Sequence, residues 1–287
     1  MSIIEERLHN LGTSASQAPA LDDVIRRGQR IRRQRRGRRV AVTAGVAAAV
    51  LLTVPVVSIV GNRPLSTSAA SDFLNAVADK AAAQRAVDAS RAPYWYSASR
   101  IDYGGVIYTR QVWLGHSSPG RLLQPLPGET KATEDVLGVA AFPAGSSGLS
   151  WDQLFALPRD PDALYAWLKL AVGNAGHDVD SEMFVAVGDL LRESPAPPSL
   201  REALFKVAAK IPEVELIPDI TDSMGRAATA VDSRNPEGTG SVRYFIDASN
   251  GAILEEQEIN ADGSIGFQST YVTSGPVANT TSQVPAN

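Results

Sequence analysis

The sequence predicts an α+β architecture: one N-terminal transmembrane helix, then an external domain whose antiparallel β-sheet is interrupted by an inserted set of short helices. Three observations predict it. Val40–Val60 is a run of 21 residues without a charge. Alternating apolar and polar segments rich in Val, Ile, Tyr and Trp lie at both ends of the chain beyond that run. The stretch between them switches to helical spacing with capping residues.

In the uncharged run only Thr43, Thr53 and Ser58 carry polar side-chain groups. As a helix it would be about 31 Å long, matched to a hydrocarbon core of about 30 Å. Hydroxyls can bond back to helix carbonyls, and Pro55 is tolerated in such helices. Arg26, Arg27, Arg30, Arg32, Arg33, Arg35, Arg36, Arg38 and Arg39 precede the run, and Arg63 alone follows closely. Arginine-rich flanks stay cytoplasmic, so the N-terminus is expected inside and the C-terminal domain outside the plasma membrane. A secretory signal has a shorter apolar region with a small-residue cut close behind it. The nearest such site, Ser68-Ala69-Ala70, lies ten residues past Val60, so the span reads as an uncleaved anchor.

Charge divides the chain in the same places. Residues 1–39 carry ten Arg and four acidic groups, whereas residues 61–287 carry 17 basic and 27 acidic groups. The Arg run has no aromatics within it and abuts the span, so it reads as topogenic and as attracted to anionic headgroups of the lipid bilayer, with no nucleic-acid partner. Cysteine is absent, which excludes disulfides, thiolate metal sites and a Cys nucleophile. Three scattered histidines (His9, His116, His177) do not suggest a metal centre.

The expected organisation is a cytoplasmic basic tail (1–39), the span (40–60), a linker (61–70), an α+β domain (71–273) and a flexible C-terminal tail (274–287). In the cytoplasmic tail, Ile4, Leu8 and Leu11, then Leu21, Val24, Ile25 and Ile31, have helical spacing. They suit either a short helix that only sets topology or a small amphipathic hook for a cytoplasmic partner.

In the domain, a helix is expected over residues 71–89, with Phe73, Leu74, Val77 and Ala81 on one face. Strands at 94–103 and 106–114 flank Gly104-Gly105, a two-residue hairpin signal. In the second strand Val106, Tyr108, Val112 and Leu114 share a face, with Arg110 the exception. A strand is expected at 119–126, and the Pro/Gly/Ala-rich residues 127–150 read mainly as loop. Asp160-Pro161 opens a helix containing Leu164, Trp167, Leu168 and Ala171. Phe184, Val187 and Leu191 mark another. Ser199-Leu200-Arg201-Glu202 has the form of a capping box opening a third. Strands return at 214–217, 227–232, 242–246, 253–259 and 265–271. Asn250-Gly251 and Asp262-Gly263 are expected as type I′ turns between the last three.

The domain resembles a family of actinobacterial single-pass membrane proteins often encoded beside extracytoplasmic-function sigma factors. The resemblance rests on Tyr94-Trp95-Tyr96, Gln111-Val112-Trp113-Leu114, Leu157-Pro158-Arg159-Asp160-Pro161-Asp162-Ala163-Leu164 and Asp189-Leu190-Leu191-Arg192-Glu193. It continues in Pro198-Ser199-Leu200-Arg201-Glu202-Ala203-Leu204, Ile211-Pro212-Glu213-Val214, Gly225-Arg226, and Phe245-Ile246-Asp247 with Gly251-Ala252-Ile253-Leu254. It implies a regulator with a cytoplasmic sigma factor or other regulatory protein as partner. The zinc-containing anti-sigma mechanism needs one His and two Cys, and the absence of Cys excludes it here.

No catalytic, cofactor-binding or metal-ligating residue is expected. Asp160 and Asp162 beside Arg159 are explained by helix capping. Glu255, Glu256 and Glu258 are expected to spread over exposed positions of an alternating strand. Trp95, Trp113, Trp151 and Trp167 fit core packing better than a groove. No Ser lies in a nucleophile elbow, and there is no phosphate-cradling Gly loop. The function expected is a membrane-anchored, non-enzymatic regulatory or sensory protein with an external ligand. The alternative is an anchored carrier or scaffold for lipid, peptide or cell-wall material.

Overall fold

The computed structural model describes residues 65–125, 131–145, 147–173 and 178–285. The expected cytoplasmic tail with its helices, the span at 40–60, residues 61–64 of the linker, His9 and His177 lie outside the described residues. No helix among the described residues is long and apolar enough to cross a membrane.

In chain order the elements are α1 (Thr67–Ala82), β1 (Tyr94–Tyr103), β2 (Val106–Gly115), β3 (Gly120–Pro125), β4 (Ala132–Leu137), β5 (Phe142–Ala144) and β6 (Ser147–Leu149). Then come α2 (Trp151–Ala156), α3 (Pro161–Val172), α4 (Val179–Arg192), α5 (Pro198–Ala208), β7 (Val214–Thr221), β8 (Ala227–Arg234), β9 (Gly240–Ile246), β10 (Ile253–Asn260) and β11 (Ile265–Val277). Among the described residues nine strands form one antiparallel sheet in the order β4-β3-β2-β1-β11-β10-β9-β8-β7. Its centre is the pairing of β1 with β11, running from Tyr94 opposite Val277 to Tyr103 opposite Phe267. The two ends of the domain therefore meet in one sheet, and the helices are inserted between them, as the sequence predicts.

The helices pack on one face of that sheet. Leu74, Val77 and Ala81 of α1, Leu164 and Leu168 of α3, Met183, Phe184 and Val187 of α4, and Leu200, Leu204 and Phe205 of α5 join Leu216, Val231, Tyr244 and Ile246 in the main core. Two smaller apolar clusters lie on the opposite face. One is Ile217, Ala230, Phe245 and Leu254. The other is Tyr96, Ala98 and Trp113.

Several elements depart from the expectations. α1 starts at Thr67, inside the expected linker, and stops at Ala82, where the apolar face ends and Val87 is exposed. The stretch expected as loop holds β4, β5 and β6. β4 is exposed along most of its length, so pairing with β3 rather than any apolar alternation makes it a strand. The insert has four helices rather than three: a capping box between Ser150 and Gln153 opens the short α2. The box expected at Ser199 does not form. α5 is preceded by Pro197 without a side-chain cap, and the Ser199 hydroxyl instead accepts from Arg159 Nε at 3.2 Å.

Gly104 and Gly105 both have positive φ, as a type I′ turn requires. At Asn250-Gly251 and Asp262-Gly263 only the glycine does, so neither is type I′. Gly251 N bonds to Asp247 O at 2.8 Å and Gly263 N to Asn260 O at 2.9 Å, closing longer turns that end on a left-handed glycine. β11 also continues to Val277, four residues into the expected tail.

Candidate functional site at the helix–sheet seam

The residues that stand out chemically are charges buried where the helical layer meets the sheet. Arg192 occupies the last turn of α4, where a cation complements the helix dipole. Its guanidinium pairs with Asp189 one turn earlier. It donates to Glu256 of β10 at 2.5 Å and to the Tyr271 hydroxyl of β11 at 2.8 Å. Tyr271 in turn donates to Glu256 at 3.2 Å. The Asp189 side chain is 1% exposed and that of Glu256 6%. Beside them Arg110 of β2 pairs with Glu193, which accounts for the one charge on the otherwise apolar face of β2.

Burial raises the Glu256 carboxyl above its ordinary value. Arg192 opposes that rise, while Asp189 adds to it. Burial, reinforced by Glu256, likewise holds the Tyr244 phenol protonated. That hydroxyl has no hydrogen-bond partner among the described residues. Its ring lies against α4 at Gly188, where a Cβ would stand 2.1 Å from Tyr244 Cζ. Glycine is what allows the ring this close. The neighbouring void, lined by Phe184, Gly188, Leu191, Phe205 and Tyr244 among others, is about 10 Å³, room for about one water.

A second polar assembly lies on the opposite face, under the β7–β8 loop. Arg226 pairs with Asp222 through Nε at 2.5 Å, and its terminal nitrogens donate to Tyr271 O at 2.9 Å and Leu254 O at 3.0 Å. The registered pairing of β10 with β11 begins at Glu255 and Thr270. Arg226 thus binds carbonyls of both strands just beyond their ladder. Glu255 is fully buried here and accepts from Ser223 N, the Thr270 hydroxyl and the Gln257 amide.

The expectation that Glu255 and Glu256 are exposed is therefore overturned. Alternation does send them to opposite faces, but each face is covered, by the insert on one side and the β7–β8 loop on the other. Asp160 does cap α3, accepting from Asp162 N and Ala163 N. Asp162 pairs with Lys210, and Arg159 donates to the Phe155 and Leu157 carbonyls. Trp113 and Trp151 are each 1% exposed, while Trp95 and Trp167 are partly buried at the edge of the main core. The four do not line one groove. His116 stacks on Trp151 at 4.9 Å, with Nε2 3.3 Å from Asp152.

A polar surface groove of about 210 Å³ lies at the start of α4, among Asp178, Asp180, Glu213 and Arg234. Asp178 is engaged there as the α4 cap, and Arg234 pairs with Glu215. Among the described residues no group of three or more His, Cys, Asp or Glu is placed to hold a metal ion. What the seam can do is fasten α4 to β2, β10 and β11; its carboxylates face arginine and hydroxyl donors.

No family model matches the chain, and no curated protein matches its sequence. Among solved structures it is similar to the Pseudomonas aeruginosa MucA/MucB complex, at 16% identity and TM-score 0.32, covering 72% of this chain and 56% of that one. It is also similar to a conserved protein of Thermus thermophilus, at 10% identity and TM-score 0.32, covering 74% and 89%. A LolA superfamily protein of Nitrosomonas europaea matches at 9% identity and TM-score 0.20, covering 77% and 96%. The chain spans little more than half the length of the MucA/MucB chain it matches. Likenesses at this level assign no ligand or partner to it.

Proposed function

We propose that this chain is a membrane-anchored, non-enzymatic regulatory or sensory protein: an external domain binds a ligand, and the N-terminal segment reports that binding to a cytoplasmic partner. A sigma factor is the partner that the family resemblance implies. The observation that carries the reading is the way the domain begins. Leu65 bonds to the edge strand β7 in both directions, N to Leu216 O at 2.7 Å and O from Leu216 N at 3.4 Å. Only residues 61–64 separate that bridge from the uncharged run ending at Val60. Four residues reach at most about 14 Å, so the tether from the run to β7 and α1 is short. A long flexible linker would have uncoupled them.

A further observation supports the reading: Ala70, in the small-residue site of the sequence, is fully buried in α1, so the helix uses residues that cleavage there would detach.

The test is co-purification. From detergent-solubilised membranes, the intact chain should bring down a sigma factor, and a chain lacking residues 2–25 but retaining the Arg run should not. Unchanged transcription of the partner's target genes in that deletion would remove the signalling role. A reporter fused after Asn287 and found active in the cytosol would remove the topology.

A further inference from the structure

The segment that follows β11 returns across the face opposite the helices. The Asn279 side chain starts the return, accepting from Thr281 N at 3.0 Å and Ser282 N at 2.9 Å. Three sheet side chains then hold the strap. Arg121 of β3 donates to Thr280 O at 2.9 Å, Trp113 of β2 donates through Nε1 to Ser282 O at 2.6 Å, and Thr273 of β11 donates to Pro285 O at 2.9 Å. Moving from β3 to β11 crosses three strand spacings, about 14 Å, which is within the reach of the five residues from Thr281 to Pro285.

All three donors grip main-chain carbonyls. The one apolar side chain the strap contributes to the small cluster of Tyr96, Ala98 and Trp113 is Val284. It sits over Gly275, where a Cβ would stand 3.0 Å from Val284 Cγ2; a side chain at 275 would crowd its seat. The platform beneath is rigid and aromatic: Tyr96 and Trp113 have centroids 5.0 Å apart, and the Arg121 guanidinium lies 4.9 Å over the Trp113 ring. The strap is shallow by comparison. Thr281, Gln283 and Pro285 are exposed, and Thr280, Ser282 and Val284 are only half-buried.

A site that reads the carbonyls of Thr280, Ser282 and Pro285, plus one β-branched side chain, recognises main chain more than it recognises this sequence. We infer that the face formed by Trp113, Arg121 and Thr273 is a peptide-binding groove occupied in cis by the strap. Its partner in trans is a segment of another protein that can follow the strap's turn and open stretch, with a small β-branched apolar residue in the place of Val284. The inference goes beyond the signalling role and stands whether or not the cytoplasmic segment signals.

The experiment uses a fluorescently labelled peptide of residues 278–287 and the full chain in detergent micelles, compared with a chain ending at Val277. Binding to the shortened chain should be about tenfold tighter or more than to the intact one, and Trp113→Phe in the shortened chain should weaken it about tenfold. Equal affinity for both chains, or no binding by a shortened chain whose circular dichroism matches the intact one, overturns the inference. Should the shortened chain not fold, Val284→Asp in the intact chain replaces it. Faster exchange of the Trp113 indole proton together with gained peptide binding supports a displaceable strap, and the absence of either overturns it.

Discussion

Glu256 shows how much of this domain is decided one side chain at a time. It is a carboxylate facing the helical insert, held by Arg192 and Tyr271, with Asp189 near enough to make its charge unwelcome. A folded-state pKa raised above the unfolded value means that the folded state binds the proton more tightly. The stability it contributes is complete below about pH 4.5 and is lost as pH rises through the folded value. Glu256→Gln keeps the shape and removes the titration. Urea unfolding of this variant should show a flatter dependence on pH than the parent from about pH 4.5 upward, and an unaltered profile would assign the dependence elsewhere. That this residue is buried was not legible from Glu255-Glu256-Gln257-Glu258, a segment with the composition of a solvated strand. Strand periodicity separates neighbours onto two faces but carries no information about what lies over either. Asp160 was legible, because a cap acts on amides two and three residues away and needs nothing distant.

At the scale of elements, the joint between β10 and β11 rests on Arg226. Its side chain serves the Leu254 and Tyr271 carbonyls and the Asp222 carboxylate, which is fully buried. Arg226→Met leaves that charge without its partner and should cost about 3–5 kcal/mol in chemical denaturation. Lysine cannot serve three acceptors with one planar fork, so Arg226→Lys should recover only part of the loss. Faster amide exchange at residues 270–272 in both variants would locate the damage, and wild-type protection there would show that the ladder holds without the arginine. Elements with a strong internal period, such as β1, β2, α3 and β9, were legible within a residue or two. β4 was not, since Ala132-Thr133-Glu134-Asp135-Val136-Leu137 becomes a strand only because β3 offers it a partner. The turns at Gly251 and Gly263 were recognised as turns, but their type depends on how far each ladder runs before the chain reverses.

For the molecule as a whole, the β1–β11 pairing joins residues more than 160 positions apart, so the sheet cannot be completed until the last strand is in place. A chain ending at Asn260 would leave β1 and β10 with open edges in the middle of the sheet. It should accumulate as aggregate rather than as a smaller folded domain, which sedimentation of the expressed product would reveal; a soluble, cooperatively unfolding product would mean that the two halves fold independently. The helices inserted between two strand regions, and hence the α+β class, could be read from the change in period near residue 160. The seam and the strap could not, because both join residues distant in the chain through groups that carry no pattern.

The sheet also has an outermost strand, and its composition has a consequence for crowded surroundings. β4 presents Glu134 and Asp135 at the centre of its free margin, both exposed, with Arg121 drawn toward Glu134 from the inner side. Two copies meeting margin to margin in antiparallel fashion would bring four carboxylates into one short row. Like charges set opposite each other disfavour that union. Growth of the sheet past β4 is thereby disfavoured, and molecules packed side by side would repel along this border rather than zip together.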